Sequence, residues 1–246
     1  MVAGRDTTPI CDQPLQRRFR GRRLGGLFAT AGSADAGSAA MINHYYWPTP
    51  NGHKSAIMLE EVGLEYQVCP VNILEGEQFD PAFIAISPNN RVPAIVDPDG
   101  PDGKPYGVFE SGAILLYLAE KSGKLWPQDM ARRHDAIQWL MFQMANVGPM
   151  FGQNGYFQGY CPEDVPLAKK RYQDVSNQLY GVMNRRLASS EYLAGADYSI
   201  ADVATYPWIL PKQREMHRID ISTYPNVARW ADAIAQRPAV QRGLAS

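Results

Sequence analysis

From Ile42 to Lys121 the sequence alternates short β-type runs with helical stripes, and after that stretch no strand pattern recurs. Ile42 to Trp47 is an aromatic-rich run of strand character that stops at Pro48-Thr49-Pro50-Asn51-Gly52, a string of turn-forming residues. Helical spacing follows, with Ser55, Met58, Leu59 and Val62 on one stripe and Lys54, Glu60 and Glu61 off it, ending near Gly63. Asn51 reads as the N-cap of this helix. Tyr66 to Val71 supplies a second strand, so the stretch opens as a βαβ unit. Phe79 to Ile86 predicts a short helix, and Val92 to Val96 and Tyr106 to Phe109 predict an antiparallel hairpin around the Asp/Pro/Gly-rich loop 97–105. Ser111 to Lys121 closes the stretch as a helix.

That last helix is apolar nearly all round from Ala113 to Ala119, which requires cover on more than one side. Further helical patterns fill 131–147, 166–188, 200–210 and 224–236. The expected fold is therefore a small α/β domain over 41–122, a linker over 123–130 and an all-α domain over 131–246. Residues 1–40 carry six Arg, no Lys and three Asp, followed by a Gly/Ala/Ser tract, and show no periodic apolar pattern. They predict a disordered extension ahead of a start at Met41, and their three Asp weigh against a targeting leader.

Composition sets outer limits on function. The net charge is −1, which lacks the electrostatic footprint of a nucleic-acid binder. The longest uncharged apolar stretch, Ala113–Ala119, is far short of the roughly 20 residues that span a bilayer. Three cysteines, Cys11, Cys69 and Cys161, form no C-x-x-C pair and indicate neither a disulfide framework nor a zinc site, which suits a reducing cytoplasm. Cys69 in a strand and Cys161 beside Pro162 read as buried or incidental thiols. His44, His53, His134 and His217 have no metal-ligand spacing, so no metal is expected.

The order βαβ, ββα and then helices only, with Val92-Pro93 before the third strand and Glu110-Ser111 opening the third helix, resembles the glutathione transferases. Thr49-Pro50-Asn51-Gly52-His53-Lys54, Ser87 to Ile95, Phe109 to Ile114, Gly148-Pro149-Met150 and Gly152-Gln153-Asn154 are similar to the nu-class bacterial members, over about 41–246. The resemblance implies the glutathione transferase fold, a thioredoxin-like N-terminal domain followed by an all-α domain. It also implies a homodimer and glutathione-dependent disulfide reduction.

Thioredoxin-like domains that use their own thiols carry cysteines after the first strand, where a helix N-terminus favours thiolate. This sequence has none there, so if the site works on sulfur the thiol must be borrowed, and the resemblance supplies glutathione as cosubstrate. Matched positions make Thr49 and Asn51 the pair that contacts the sulfur, each able to donate a hydrogen bond to a thiolate. Glu110 and Ser111 take the γ-glutamyl end: backbone N–H groups and the Ser hydroxyl hold its carboxylate, and the Glu pairs with its ammonium. A cis bond before Pro93 is implied, presenting the Val92 backbone to the tripeptide. Gln78 reaches the glycyl end, and Arg91 supplies positive charge nearby. Gln153, Asn154 and Arg171 are the candidates for a second glutathione or substrate pocket.

Bland readings stand beside these. Taken alone, Thr49 and Asn51 are a proline-bracketed turn with a capped helix, and Glu110-Ser111 is a capped helix start. Tyr45 and Tyr46 read as strand-packing residues rather than sulfur activators. Ser199-Ile200-Ala201-Asp202 is a capping box with a folding role, with Tyr198 and Val203 as its hydrophobic staple. Two alternative functions share the fold: conjugation of glutathione to an electrophile or cleavage of a glutathione thioether, and a non-catalytic glutathione-binding regulator.

Overall fold

The computed structural model describes residues 41–246; the disordered extension expected over 1–40 lies outside the described residues. Two compact units emerge, and they alternate along the sequence: residues 41–52 with 63–114 form one, and residues 53–62 with 115–246 form the other.

The first unit is built on a four-stranded mixed sheet of order β2-β1-β3-β4. Strand β1 (Ile42–Tyr46) runs parallel to β2 (Tyr66–Pro70) and antiparallel to β3 (Ala94–Asp97), which pairs antiparallel with β4 (Tyr106–Phe109). Both the βαβ connection and the hairpin match the sequence reading. The register sets Cys69, Tyr45 and Ala94 side by side. Because alternate residues of a strand share a face, this row forms one floor of the core, completed by Val71, Phe83 and Ile86. Tyr45 is buried there with its ring 6.0 Å from Phe83, and Tyr46 is also buried, so both pack against the sheet as expected. Burial pushes the Tyr46 phenol up to about 12. The short helix expected over 79–86 is a single 3₁₀ turn (Glu77–Phe79) and then α2 (Pro81–Ile84), entered at Asp80, whose carboxylate accepts the Ala82 N–H at 2.8 Å. Cys69 is buried in the core, and Cys161 carries a free, half-buried thiol.

Helix α1 (Pro50–Val62) starts in the first unit and continues in the second. Its burial is wider than one stripe: every residue from Lys54 to Leu59 is buried, Lys54 among them, against the expectation that it lay off the packed face. Helix α3 (Ser111–Ser122) buries Ile114, Leu115, Leu118 and Ala119, but Ala113 is exposed and Leu116 and Tyr117 are half-buried, so its apolar surface is not covered all round.

The second unit is helical among its described residues. Helix α4 (Met130–Phe142) passes through a π-helical turn (Gln143–Val147) into α5 (Gly148–Gly155) and a second π turn (Tyr156–Tyr160). Helix therefore continues well past position 147, where the sequence reading ended it. Pro149 looks like a breaker, since it lacks an N–H and crowds the carbonyl four residues back. Here the wider turn just before it, with the Gly148 N–H bonded to the Gln143 carbonyl, relieves that crowding. Beyond lie α6 (Pro166–Leu187), α7 (Ile200–Thr205), α8 (Pro211–Met216), α9 (Pro225–Ala235) and α10 (Pro238–Leu244). The capping box at Ser199 is present, and Asp202 does more than close it. One carboxylate oxygen takes the Leu193 N–H and the Trp230 indole N–H, each at 2.9 Å, while the other takes the Ser199 N–H at 3.0 Å. Gly243 brings α10 against α1: a Cβ there would lie 2.6 Å from the Ile57 backbone. Among the described residues, no helix is long and apolar enough to cross a membrane, and no group of His, Cys, Asp or Glu is arranged to hold a metal.

Candidate functional site

The first unit gathers most of the sequence-derived candidates at the starts of two helices and at the bend before β3. The loop after β1 makes a tight three-residue turn, with the Thr49 N–H donating to the Trp47 carbonyl at 2.7 Å. Helix α1 then begins at Pro50, in the first-turn position that proline favours. The Thr49 hydroxyl oxygen accepts the Gly52 N–H at 3.1 Å, which makes Thr49 the N-cap. Asn51, read from the sequence as the cap, is inside the first turn instead. The cap has a chemical consequence. Its lone pair engaged by Gly52, the Thr49 hydroxyl keeps its hydrogen to donate, and the half-buried Thr49 lies at the positive end of α1. Gly52 is required for this geometry, because a Cβ there would sit 2.2 Å from the Trp47 carbonyl oxygen and 3.0 Å from the Tyr46 ring.

At the start of α3, Glu110 has φ +68°, a left-handed backbone that a residue with a Cβ adopts at a cost of roughly 1–2 kcal/mol. Its carbonyl accepts the Ile114 N–H at 2.9 Å, which starts the helix, while its side chain is exposed. Ser111, the first residue of α3, is buried. An exposed carboxylate therefore stands beside a helix N-terminus, the pairing needed to hold an ammonium and a carboxylate borne on one carbon.

Between these helix starts the Val92–Pro93 peptide is cis, as the resemblance implied. Pairing of β3 with its neighbours begins only at Ala94, so Val92 lies beyond the ladder. The turn ahead of it is tied by the Ser87 hydroxyl, which donates to the Arg91 carbonyl at 2.8 Å; the Arg91 side chain is exposed. Gln78 is half-buried in the 3₁₀ turn, and its side-chain oxygen is buried without a hydrogen-bond partner. A buried acceptor left in that condition is costly unless a ligand or water meets it.

The candidates for a second pocket separate. Gln153 on α5 and Arg171 on α6 are exposed, but Asn154 is fully buried, its amide donating to the His217 carbonyl at 3.1 Å. Neighbouring helical positions lie 100° apart, so Asn154 turns inward while Gln153 beside it faces out, and the Asn154 side-chain oxygen is buried without a hydrogen-bond partner. Lys54 is the residue that the pattern missed. It is 1 % exposed, and its ammonium donates to the Gln143 side-chain oxygen at 2.7 Å. The available signal was a polar residue, Gln143, inside a predicted helix.

Residues 41–120 match the glutathione S-transferase N-terminal domain and 152–238 its C-terminal domain. The disulfide-bond oxidoreductase YfcG of Escherichia coli is 47% identical over 205 residues, which is 83% of this chain and 94% of that protein. Among solved structures, a glutathione transferase family member from Pseudomonas fluorescens with two glutathione bound is 44% identical, with a TM-score of 0.81 over 85% of this chain and 95% of that one. A Pseudomonas putida glutathione transferase with one glutathione disulfide per subunit is 43% identical, with a TM-score of 0.80 over 85% and 93% of the two chains. With its two domain matches and these relatives, the chain belongs to the glutathione S-transferase family.

Proposed function

We propose that the protein is a glutathione-dependent disulfide-bond reductase whose attacking thiolate is carried by bound glutathione. The observation that supports this most is the Thr49 cap: a hydroxyl at a helix N-terminus, its acceptor side engaged by Gly52, directs a proton donor at whatever anion binds there. YfcG, named as a disulfide-bond oxidoreductase, and neighbours holding two glutathiones or glutathione disulfide suit the same reading.

In this reading the γ-glutamyl ammonium pairs with Glu110, and its carboxylate meets Ser111 and the first N–H groups of α3. The cysteinyl backbone pairs with Val92, which the cis bond at Pro93 leaves outside the ladder. The glycyl end approaches Gln78 and Arg91. Thr49 and Asn51 donate to the sulfur and favour thiolate over thiol. Attack on a substrate disulfide forms a mixed disulfide with glutathione and releases one substrate thiolate, which takes up a proton. A second glutathione thiolate then attacks the glutathione sulfur, releasing the other substrate thiol and glutathione disulfide. The exposed Gln153 and Arg171 are proposed to approach that second glutathione. The assignment uses the domain boundaries 41–122, 123–130 and 131–246, a cytoplasmic site of action where glutathione is reduced, and a homodimer. Exposed Met141, Tyr156 and Tyr160 give the helical unit apolar surface suited to a second copy.

The test is reduction of a small disulfide, coupled to glutathione reductase, beside conjugation of a halogenated nitrobenzene at equal enzyme concentration. Disulfide turnover exceeding conjugation is the expected result, and conjugation exceeding it would make the protein a transferase. T49A and N51A are expected to lower kcat about 10- to 100-fold, the scale of one hydrogen bond to a charged group, with a smaller change in KM for glutathione.

A further inference from the structure

Within the helical unit a cavity of about 390 Å³ opens between the second π turn, α6 and the loop after α8, lined by Gln158, Lys169, Lys170, Gln173, Asn177 and Arg218. Its walls are fixed by packing and hydrogen bonds. Phe157 stacks on Tyr172 with ring centroids 5.4 Å apart, which seats the π turn against α6. The Asn154 amide donates to the His217 carbonyl at 3.1 Å and the Gln173 amide to the Arg218 carbonyl at 3.3 Å; together they pin the loop where Arg218 takes φ +55°. Along α6, Lys169, Lys170, Gln173 and Asn177 recur at spacings of three and four residues and so share one face. Arg171, proposed above for the second glutathione, is turned 100° from Lys170 and 200° from Gln173, on another face of the helix.

The lining makes two chemical demands on an occupant. The side-chain oxygens of Gln158 and Gln173 are both buried without a hydrogen-bond partner, a costly state unless a ligand or water supplies donors. The second demand is for negative charge, because three cations border one cavity. The carboxylates opposing two of them lie outside the lining: Asp164 meets Lys169 at 2.6 Å and Asp174 meets Lys170 at 2.6 Å, pairs open enough to water to hold their lysines weakly. Among the described residues the Arg218 guanidinium meets no carboxylate, and Asp220, two residues on, is engaged by the Ser222 N–H at 3.0 Å and hydroxyl at 2.7 Å. A carboxylate brings one negative charge to such a place, whereas a phosphate monoester brings about two, with three strong acceptor oxygens. The volume lies within the roughly 300–1,000 Å³ of small-molecule pockets.

We propose that this cavity is a ligand site separate from the glutathione site, and that it takes the phosphate monoester of a small polyhydroxylated molecule. Lys169, Lys170 and Arg218 hold the phosphate, Arg218 in the place that the pinned loop gives it, and hydroxyls of the ligand donate to the oxygens of Gln158 and Gln173. The assignment stands on these residues alone and does not depend on the disulfide-reductase reading.

The experiment is isothermal titration calorimetry of the full chain with ribose 5-phosphate, glucose 6-phosphate, ribose and inorganic phosphate, with saturating glutathione present so that anions are kept from its site. At least one of the two sugar phosphates is expected to bind about tenfold more tightly than ribose or inorganic phosphate. R218A, which removes a charged hydrogen-bond donor, is expected to weaken that binding about tenfold, and D174N, which frees Lys170, to tighten it about two- to fivefold. Melting temperatures are recorded for each variant, and K170M gives the same weakening readout should R218A not fold. The proposal is overturned if neither sugar phosphate binds with a Kd below about 5 mM, or if the Kd is the same in wild type, D174N and the folded arginine or lysine variant. Inorganic phosphate binding as tightly as the sugar phosphates would overturn the ligand class, since nothing would then be reading hydroxyls.

Discussion

Glu110 combines an unfavourable backbone with an exposed carboxylate, and the two features predict opposite effects of one substitution. Glycine adopts φ +68° without the Cβ penalty, so E110G is expected to raise stability by about 1 kcal/mol in denaturant titration. The same change removes the proposed partner of the γ-glutamyl ammonium, and KM for glutathione is expected to rise about tenfold; E110Q should show the KM change without the stability gain. Unchanged KM in both variants would remove Glu110 from the site. Gly52 works the other way. G52A places a methyl group 2.2 Å from the Trp47 carbonyl, and a loss of about 1–3 kcal/mol together with reduced turnover is expected from the displaced turn. At this scale the sequence was informative about residue type and less so about which atom does what. The Pro-Thr-Pro-Asn-Gly string announced a capped helix, but Thr and Asn are both good caps, and only the register of Pro50 decides for Thr49. The burial of Asn154 and Lys54 was hidden for a related reason: a polar letter in an amphipathic pattern is assigned to water unless its buried partner, His217 or Gln143, is already known.

Among the elements, short strands and their pairing were legible because alternation and turn residues agreed, and β1 to β4 fall within a few residues of expectation. The continuation of helix from Gly148 to Tyr160 was not, because Gly148-Pro149 and two further glycines within α5 mimic a loop, and the π turns that flank α5 have no sequence period of their own. Two element-scale tests follow from packing. G243A has no room for a methyl group against Ile57, and a destabilisation of about 1–3 kcal/mol is expected in denaturant titration. Asp202 is fully buried, and desolvation raises its pKa from 3.8 to about 6, against the lowering effect of the hydrogen bonds that it accepts. The folded state therefore binds a proton more readily than the unfolded chain between pH 4 and 6. The stability contributed by protonation is full below pH 4 and is lost as pH rises through 6, an effect of about 3 kcal/mol. D202N, which does not titrate, is expected to flatten the pH dependence of unfolding across that window relative to wild type; an identical slope would mean that Asp202 is not its source.

Considered as a whole molecule, the chain divides its charge unevenly, with +3 in residues 1–40 and −4 in the remainder. Every residue assigned to either glutathione lies between 49 and 171, so removal of residues 1–40 is expected to leave kcat/KM for disulfide reduction within about twofold, and a tenfold loss would give that segment a part in the site. A larger consequence comes from α1, which begins in one compact unit and spends its length in the other. The helical unit needs residues 53–62, made early in synthesis, and its last helix seats Gly243 on Ile57, made near the very end. A ribosome reading this message cannot finish the unit that owns α1 until nearly the whole chain has emerged. Until then Ile57, Met58 and Leu59 wait uncovered, which makes the nascent chain, long before the enzyme, a customer for chaperones.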